Sequence, residues 1–175
     1  MSQEQPSALR LEIDGARLSI REAVQPADIT AARELFQEYA ASLGFDLCFQ
    51  GFGEELAGLT GLYAPPGGRL LLGYHGESVA GCVALRPREP NICEMKRLYV
   101  RPAYRSTGLG RLLVERIIAE ARKAGYQSMR LDSLPSMHAA LTLYRRLGFQ
   151  PIPPYTQNPV DGAVFLELRL DHSLR

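Results

Sequence analysis

The chain has almost no surplus of either charge: twenty Lys and Arg against nineteen Asp and Glu leave +1 across 175 residues. A protein that holds nucleic acid or an anionic membrane by electrostatics needs a basic face, so any anion is expected to bind locally. Long hydrophobic runs are missing too. None approaches the ~18 residues of a spanning helix, and the opening MSQEQPSALR has no positive region leading into an apolar stretch. These absences predict a soluble cytoplasmic protein with neither a nucleic-acid nor a membrane partner. Cysteine is scarce: Cys48, Cys82 and Cys93 are widely spaced and form no C-x-x-C pattern. A disulfide framework or metal site is therefore not expected, and buried reduced thiols are. Among the few histidines, His75 falls in a turn, His172 in the tail and His138 at a helix start, all reading as solvated. No internal repeat or low-complexity linker interrupts the chain, and its length suits one core. The expectation is a single domain over residues 16–175 behind an N-terminal extension, 1–15, in which ALRLEI reads as a short added strand or a frayed tail.

What is present alternates between strand and helix signals. RLSIREA (17–23) alternates as a strand does, then Pro26 and Asp28 open a helical pattern of Ala31, Leu35, Phe36 and Tyr39 that stops near Gly44. FDLCFQGFGEELAGL (45–59) reads as a loop and a short helix. GGRLLLGYHGESVAGCVALRP (67–87) predicts a hairpin about HGES, and NICEMKRLYV a third strand ended by Arg101-Pro102. Residues 108–124 give the clearest helix, with Leu109, Leu112, Leu113, Ile117, Ala121 and Ala124 on one face. YQSMRLDSL and SMHAALTLYRRLG continue as strand and helix. FQPIPPY and AVFLELRL predict two last strands, the first too rich in proline to be central throughout. This order predicts an α/β (α+β) fold with a mixed, mostly antiparallel sheet and helices on both faces.

The stretch YVRPAYRSTGLGRLL (99–113) stops a strand, turns through two glycines and starts a helix. Such a bend aims free N–H groups at one point with the helix dipole behind them. Gly108 and Gly110 carry no side chain to keep an anion off the backbone, and Arg105 and Arg111 can add charge-assisted bonds. The expected ligand is a phosphate or pyrophosphate. A P-loop would need a lysine after the glycines, and a dinucleotide fingerprint a glycine at position 113, which is Leu113. Neither fits.

The same residues resemble the acyl-CoA motif of the GNAT superfamily of N-acetyltransferases, [QR]-x-x-G-x-[GA] between a strand and a helix, with Arg105, Gly108 and Gly110 at its fixed positions. AALTLYRRLGF resembles that family's A-x-x-x-Y-x-x-x-G-F signature through Ala140, Tyr144, Gly148 and Phe149. The motif resemblance covers about residues 91–150, and the element order extends it over 17–170. It implies the GNAT fold, with a sheet of about six to seven strands, and acetyl-CoA as co-substrate without a metal. The amides of Ser106, Thr107, Gly108, Leu109, Gly110 and Arg111 would hold the pyrophosphate. The strand edge at Leu98, Tyr99 and Val100 would pair with the pantetheine as an extra strand. Family members often carry an asparagine three residues before the alanine; here that position is Met137.

Acyl transfer to an amine needs a base for the ammonium, a donor for the oxyanion and an acid for the leaving thiolate. Glu94, Lys96 and Arg97 are charges inside a strand that otherwise reads as core, and such conflicts cluster at functional sites. Glu94 matches a position where several family members carry the base, and in a desolvated cleft its pKa could rise. Alternatively it pairs with Lys96, Arg97 or Arg130. Tyr144 shares a helix face with Met137, Ala140, Leu141 and Leu147, which reads as core, while the signature implies the general acid. Both roles are compatible. A backbone N–H near Leu98 or Tyr99 would stabilise the oxyanion. Asp132, ending its strand near the cleft, either orients a substrate or caps the next helix.

The resemblance implies an acceptor site built from GFDLCFQGFGEEL and YTQNPVDGA. The first offers Asp46, Glu54 and Glu55 among Phe45, Phe49 and Phe52, the second Tyr155 and Asn158. Carboxylates beside aromatics would suit a cationic amine; equally, Glu54 and Glu55 are an exposed helix start and the phenylalanines core. The expected activity is direct transfer of an acetyl group to a primary amine in a ternary complex, the acceptor being a small cationic amine or an amino-acid-like metabolite. The alternative is a non-catalytic acyl-CoA sensor. Exposed terminal strands leave room for a homodimer.

Overall fold

A computed structural model of the chain describes residues 9–13, 16–47 and 51–170. Cys48, Phe49, His172 and most of the N-terminal extension lie outside them. Two strands, β1 (Leu9–Ile13) and β2 (Ala16–Glu22), pair antiparallel, so the added-strand reading of the extension holds. Helix α1 (Pro26–Ser42) starts on a proline at its first turn, and Asp28 reaches back to accept from the N–H groups of Val24 and Gln25. That carboxylate satisfies donors the helix cannot. Short helices α2 (Phe52–Ala57) and α3 (Leu59–Leu62) follow.

Strands β3 (Arg69–His75) and β4 (Ser78–Glu89) form the predicted hairpin, and β5 (Ile92–Val100) extends it. All three carry runs of consecutive buried residues, because both faces of the sheet are covered. Helix α4 (Leu109–Lys123), strand β6 (Ser128–Ser133), helix α5 (His138–Arg146), and strands β7 (Gln150–Pro151) and β8 (Val164–Arg169) complete the order. The described residues form an eight-stranded sheet, β1-β2-β3-β4-β5-β6-β8-β7, parallel only between β5 and β6. The expected six to seven strands become eight with β1, and the predicted strand at FQPIPPY contracts to the two-residue β7, which Pro151, Pro153 and Pro154 keep short.

Two cores flank the sheet. Leu109, Leu113, Val114, Ile117 and Ala121 of α4 pack on one face with Leu141 and Tyr144 of α5. Leu35 and Phe36 of α1 and Leu59 and Tyr63 near α3 pack on the other. At about 25 cal/mol per Å² of apolar surface, these two layers carry most of the stabilisation.

The sheet opens in the middle. β5 and β6 are in register only at Ile92–Ser128, Cys93–Met129 and Glu94–Arg130, and beyond Glu94 the two strands pair no further. A bulge follows: Lys96 lies opposite Ala84 and Tyr99 opposite Cys82, so Val83 faces both Arg97 and Leu98. Arg97 adopts φ 60°, and its extra residue bends the strand.

Candidate active site

Past Glu94 the open edge of β5 borders two adjoining hollows, which share walls at Tyr39, Leu98, Met137 and Ala140. The outer groove, of about 790 Å³, runs between this edge and α5 and ends at the start of α4. There a 3-10 turn, Pro102–Tyr104, leads into Ser106 (φ 66°) and Gly108 (φ 89°). Alternating left-handed residues curl a chain so that its N–H groups converge on one concave point. The helix ladder begins with the Leu112 N–H donating to the Gly108 carbonyl at 3.1 Å, so the amides of residues 109–111 have no intrahelical acceptor. Gly110 is helical, and a Cβ there would meet only Val100 Cγ2, at 3.7 Å. Crowding within the protein does not call for glycine at that position.

Of the residues expected to hold the cofactor, Leu98, Tyr99, Val100, Arg105, Ser106, Gly110 and Ala140 line this groove. Thr107 turns its hydroxyl back to donate to the Tyr104 carbonyl at 2.7 Å. Leu109 puts its side chain into the core. Arg105 donates through Nε to the Val100 carbonyl at 3.0 Å, which ties the turn to the strand. The side chain of Arg111 pairs with Glu115 at 2.7 Å on the exposed face of α4, an i, i+4 spacing. His138, expected to be solvated, is exposed and also borders the groove.

The inner chamber, of about 60 Å³, is lined by Tyr39, Lys96, Arg97, Asp132, Tyr144 and Asn158 among others. The bulge explains the cations: it lets Lys96 and Arg97, consecutive in sequence, both approach the chamber. Arg97 makes a bidentate pair with Glu55, Nη2 to Oε2 at 2.7 Å, and Glu55 also accepts from the Tyr63 hydroxyl. Glu55 is therefore neither an exposed helix start nor free for a cationic acceptor. Glu54 and Asp46 are exposed, while Phe45 borders the chamber. Asp132 accepts from Asn158 Nδ2 at 3.0 Å and lies 3.9 Å from Lys96 Nζ. It does not cap α5, whose N-cap is Met137.

Tyr144 is 5% exposed, and burial, followed by Tyr39 and Asp132, raises its pKa well above the ordinary tyrosine range. It stays protonated, as a proton donor to a thiolate must. Lys96 moves the other way, lowered by burial against the pull of Glu94 and Asp132.

Glu94 corrects an expectation. It is fully buried, outside the lining of both hollows, and bonded to Arg86 at 2.7 Å and to the Tyr155 hydroxyl at 2.7 Å. Burial pushes its carboxyl up, but Lys96, Arg86 and the Tyr155 bond outweigh burial and leave it below the usual carboxylate range. The ion pair that sequence left open is thus real, with Arg86 as partner. The Tyr155 ring has the guanidinium of Arg88 at 4.8 Å and that of Arg130 at 5.6 Å. Glu94 and Tyr155 together pin residues 152–163 to the sheet and bring Asn158 to Asp132.

The GNAT acetyltransferase family model matches residues 29–149. The chain belongs to the GNAT acetyltransferase family. An N-acetyltransferase of Schizosaccharomyces pombe, named as uncharacterised, is 42% identical over 158 residues, spanning 89% of this chain and 96% of its own. One of Dictyostelium discoideum, similarly named, is 31% identical over 78% of this chain and 92% of its own. A GNAT-family acetyltransferase from Staphylococcus aureus shares the fold at TM-score 0.72 and 18% identity, over 88% of this chain and 99% of that one. A Salmonella typhimurium structure that holds acetyl-CoA matches at TM-score 0.65 and 24% identity, over 90% and 96% of the two chains.

As a GNAT acetyltransferase the protein is an acyltransferase of a family that uses acetyl-CoA as co-substrate. Among the described residues no three His, Cys, Asp or Glu side chains are placed to hold a metal ion, and no helix is long and apolar enough to cross a membrane. Cys82 and Cys93 are buried free thiols, both pushed up by burial. Sequence reasoning underrated Lys96 and Asp132 of this GNAT site. The signal for Lys96 was present, a charge in a core-like strand. The signal for Asp132 was its place at the open end of β6, which became decisive only with the register known.

Proposed function

We propose that the protein transfers the acetyl group of acetyl-CoA to the primary amine of a small acceptor by direct attack in a ternary complex. The observation that carries this reading is the open edge of β5, which joins a long groove ending at converging amides to a small polar chamber ending at Tyr144 and Asp132. The pyrophosphate lies on the amides of 106–111 with Arg105 beside it. The pantetheine runs along Leu98–Val100, and the thioester reaches the walls that both hollows share. The amine enters from the chamber, and Asp132, the carboxylate facing it, takes the ammonium proton. Nitrogen attacks the carbonyl carbon while the N–H of Leu98 or Tyr99 steadies the oxyanion. The C–S bond then breaks, Tyr144 gives its proton to the sulfur, and the nitrogen's second proton passes to solvent, from which Tyr144 is reprotonated.

The test is release of the CoA thiol from acetyl-CoA against a panel of amines, with Tyr144→Phe beside the wild type. Turnover is expected to fall ten-fold or more in the variant while acetyl-CoA affinity changes less than three-fold. Equal loss of both would make the tyrosine structural.

A further inference from the structure

Residues 152–163, between β7 and β8, form an irregular strap, and its polar side chains fasten it on both sides of the point where the sheet opens. Tyr155 holds the paired side. Its hydroxyl donates to Glu94 Oε2 at 2.7 Å, its carbonyl accepts from Arg88 Nη2 at 3.0 Å, and its ring stands edge-on to Phe165 with centroids 5.5 Å apart. Asn158 holds the open side, where its Nδ2 donates to Asp132 Oδ2 at 3.0 Å in the wall of the chamber.

Chemistry fixes which end of the amide faces Asp132. Asn158 Oδ1 accepts from the Val160 N–H at 3.0 Å, and a carboxylate offers only acceptors, so the amino end meets it. Among the described residues this is the one hydrogen bond that the Asp132 carboxylate accepts. The side chain of Asp132 is 6% exposed, so water is poorly placed to replace that donor. Lys96 is a different kind of neighbour. At 3.9 Å from Asp132 Oδ1 it lies beyond hydrogen-bond reach, and it also feels Glu94, so it attracts the carboxylate without fixing its plane. The torsion that turns that plane is broad. The bond from Asn158 selects one orientation, and it persists through the reaction, because Oδ2 accepts whether or not Oδ1 carries the proton taken from the amine.

We infer that Asn158 is a positioning residue for the base: it holds Asp132 in the plane that faces the acceptor amine, and Tyr155, fastened to Glu94, holds Asn158 in turn. This rests on the acetyl-transfer reading above, with Asp132 as its base. It gives the strap a part in the reaction without contact with the reacting atoms.

The experiment follows thiol release from acetyl-CoA with the best acceptor among spermidine, tyramine, ethanolamine, L-leucine and a tripeptide, with a melting curve for each variant. Asn158→Ala is expected to lower kcat about ten- to hundred-fold, the scale of a misplaced catalytic group, with acceptor KM and acetyl-CoA affinity within about three-fold. Asn158→Asp keeps the shape but has no N–H to give, and is expected to lose at least as much. In an Asp132→Asn background Asn158→Ala is expected to cost less than about three-fold, because the group it positions is already gone. Tyr155→Phe is expected to cost about three- to ten-fold alone and nothing further beside Asn158→Ala. If the Asn158 variants do not fold, Tyr155→Phe with and without Asp132→Asn gives the same comparison. A rise in acceptor KM with kcat retained would make Asn158 an acceptor contact, a gain in kcat would make it an obstruction, and an equal loss with and without Asp132 would make it structural; each overturns the inference and keeps acetyl transfer. Full activity in Asp132→Asn removes the base that Asn158 would position and overturns the inference as well. No thiol release with any of these amines, with acetyl-CoA bound, overturns both readings.

Discussion

Glu94 and Asp132 are both carboxylates near the open edge of β5, and their neighbours assign them different work. Glu94 spends its oxygens on Arg86 and Tyr155, whereas Asp132 faces the chamber. Asp132→Asn is expected to lower kcat by about 10²–10⁴ with acetyl-CoA affinity unchanged. Glu94→Gln is expected to hold kcat within about ten-fold but to cost about 1–3 kcal/mol, a fall of about 3–10 °C in melting temperature for a chain of this size. Kinetics and thermal melts showing the reverse pattern would return the base to Glu94. The pH dependence follows from its lowered pKa. Glu94 contributes stability above its ordinary value of about 4.3, and that contribution is lost as pH falls through the lower folded value. Melting curves between pH 7 and 3 are therefore expected to decline less steeply for Glu94→Gln than for the wild type. Tyr144 is raised instead. Its acid form persists past about pH 10, where a free tyrosine titrates, so kcat is expected to show no alkaline loss up to that pH.

At the scale of elements, the two glycines at the start of α4 are not equivalent. Gly108 sits at φ 89°, where a substitution strains the backbone whatever binds. Gly110 is helical with room for a methyl group, and Ala is better than Gly in a helix by about 0.8–1 kcal/mol. Gly110→Ala is therefore expected to raise the melting temperature by about 2–4 °C and, because the motif admits alanine there, to hold CoA affinity within about three-fold. Calorimetry showing a ten-fold loss would mean that the anion lies against this Cα. The elements around this site were legible because their signals are local: the alternation of β2, the apolar face of α4, and the turn between β3 and β4. Arg105, Gly108, Gly110, Ala140 and Tyr144 were legible because their spacing follows a family pattern. The inner chamber was not, since it depends on pairing between distant residues. Glu55 meets Arg97 across 42 positions, and Tyr155 meets Glu94 across 61. No local pattern carries such contacts, so a partnered Glu55 and an exposed Glu54 looked alike.

For the molecule as a whole, the buried ion pair of Arg97 and Glu55 ties α2 to the sheet. Removing one side of such a pair leaves a stranded charge and costs about 3–5 kcal/mol, so Glu55→Ala is expected to remove a large share of a typical 5–15 kcal/mol in denaturant titration. A ligand bridging the groove works in the opposite sense: acetyl-CoA at a hundred times its Kd adds about 2.7 kcal/mol. The bulge at Arg97 has a consequence for the chain's length. Leu98 belongs to the α4 core and Tyr99 to the α1 core, and both keep those faces if residue 97 is removed, because the extra residue is what interrupts the alternation. With Glu55→Gln to avoid a stranded charge, a chain one residue shorter would zip β5 from Glu94 to Val100 against β4 without a break. It would be a more regular sheet and a poorer catalyst, so at this point a single codon, not a side chain, separates a scaffold from an enzyme.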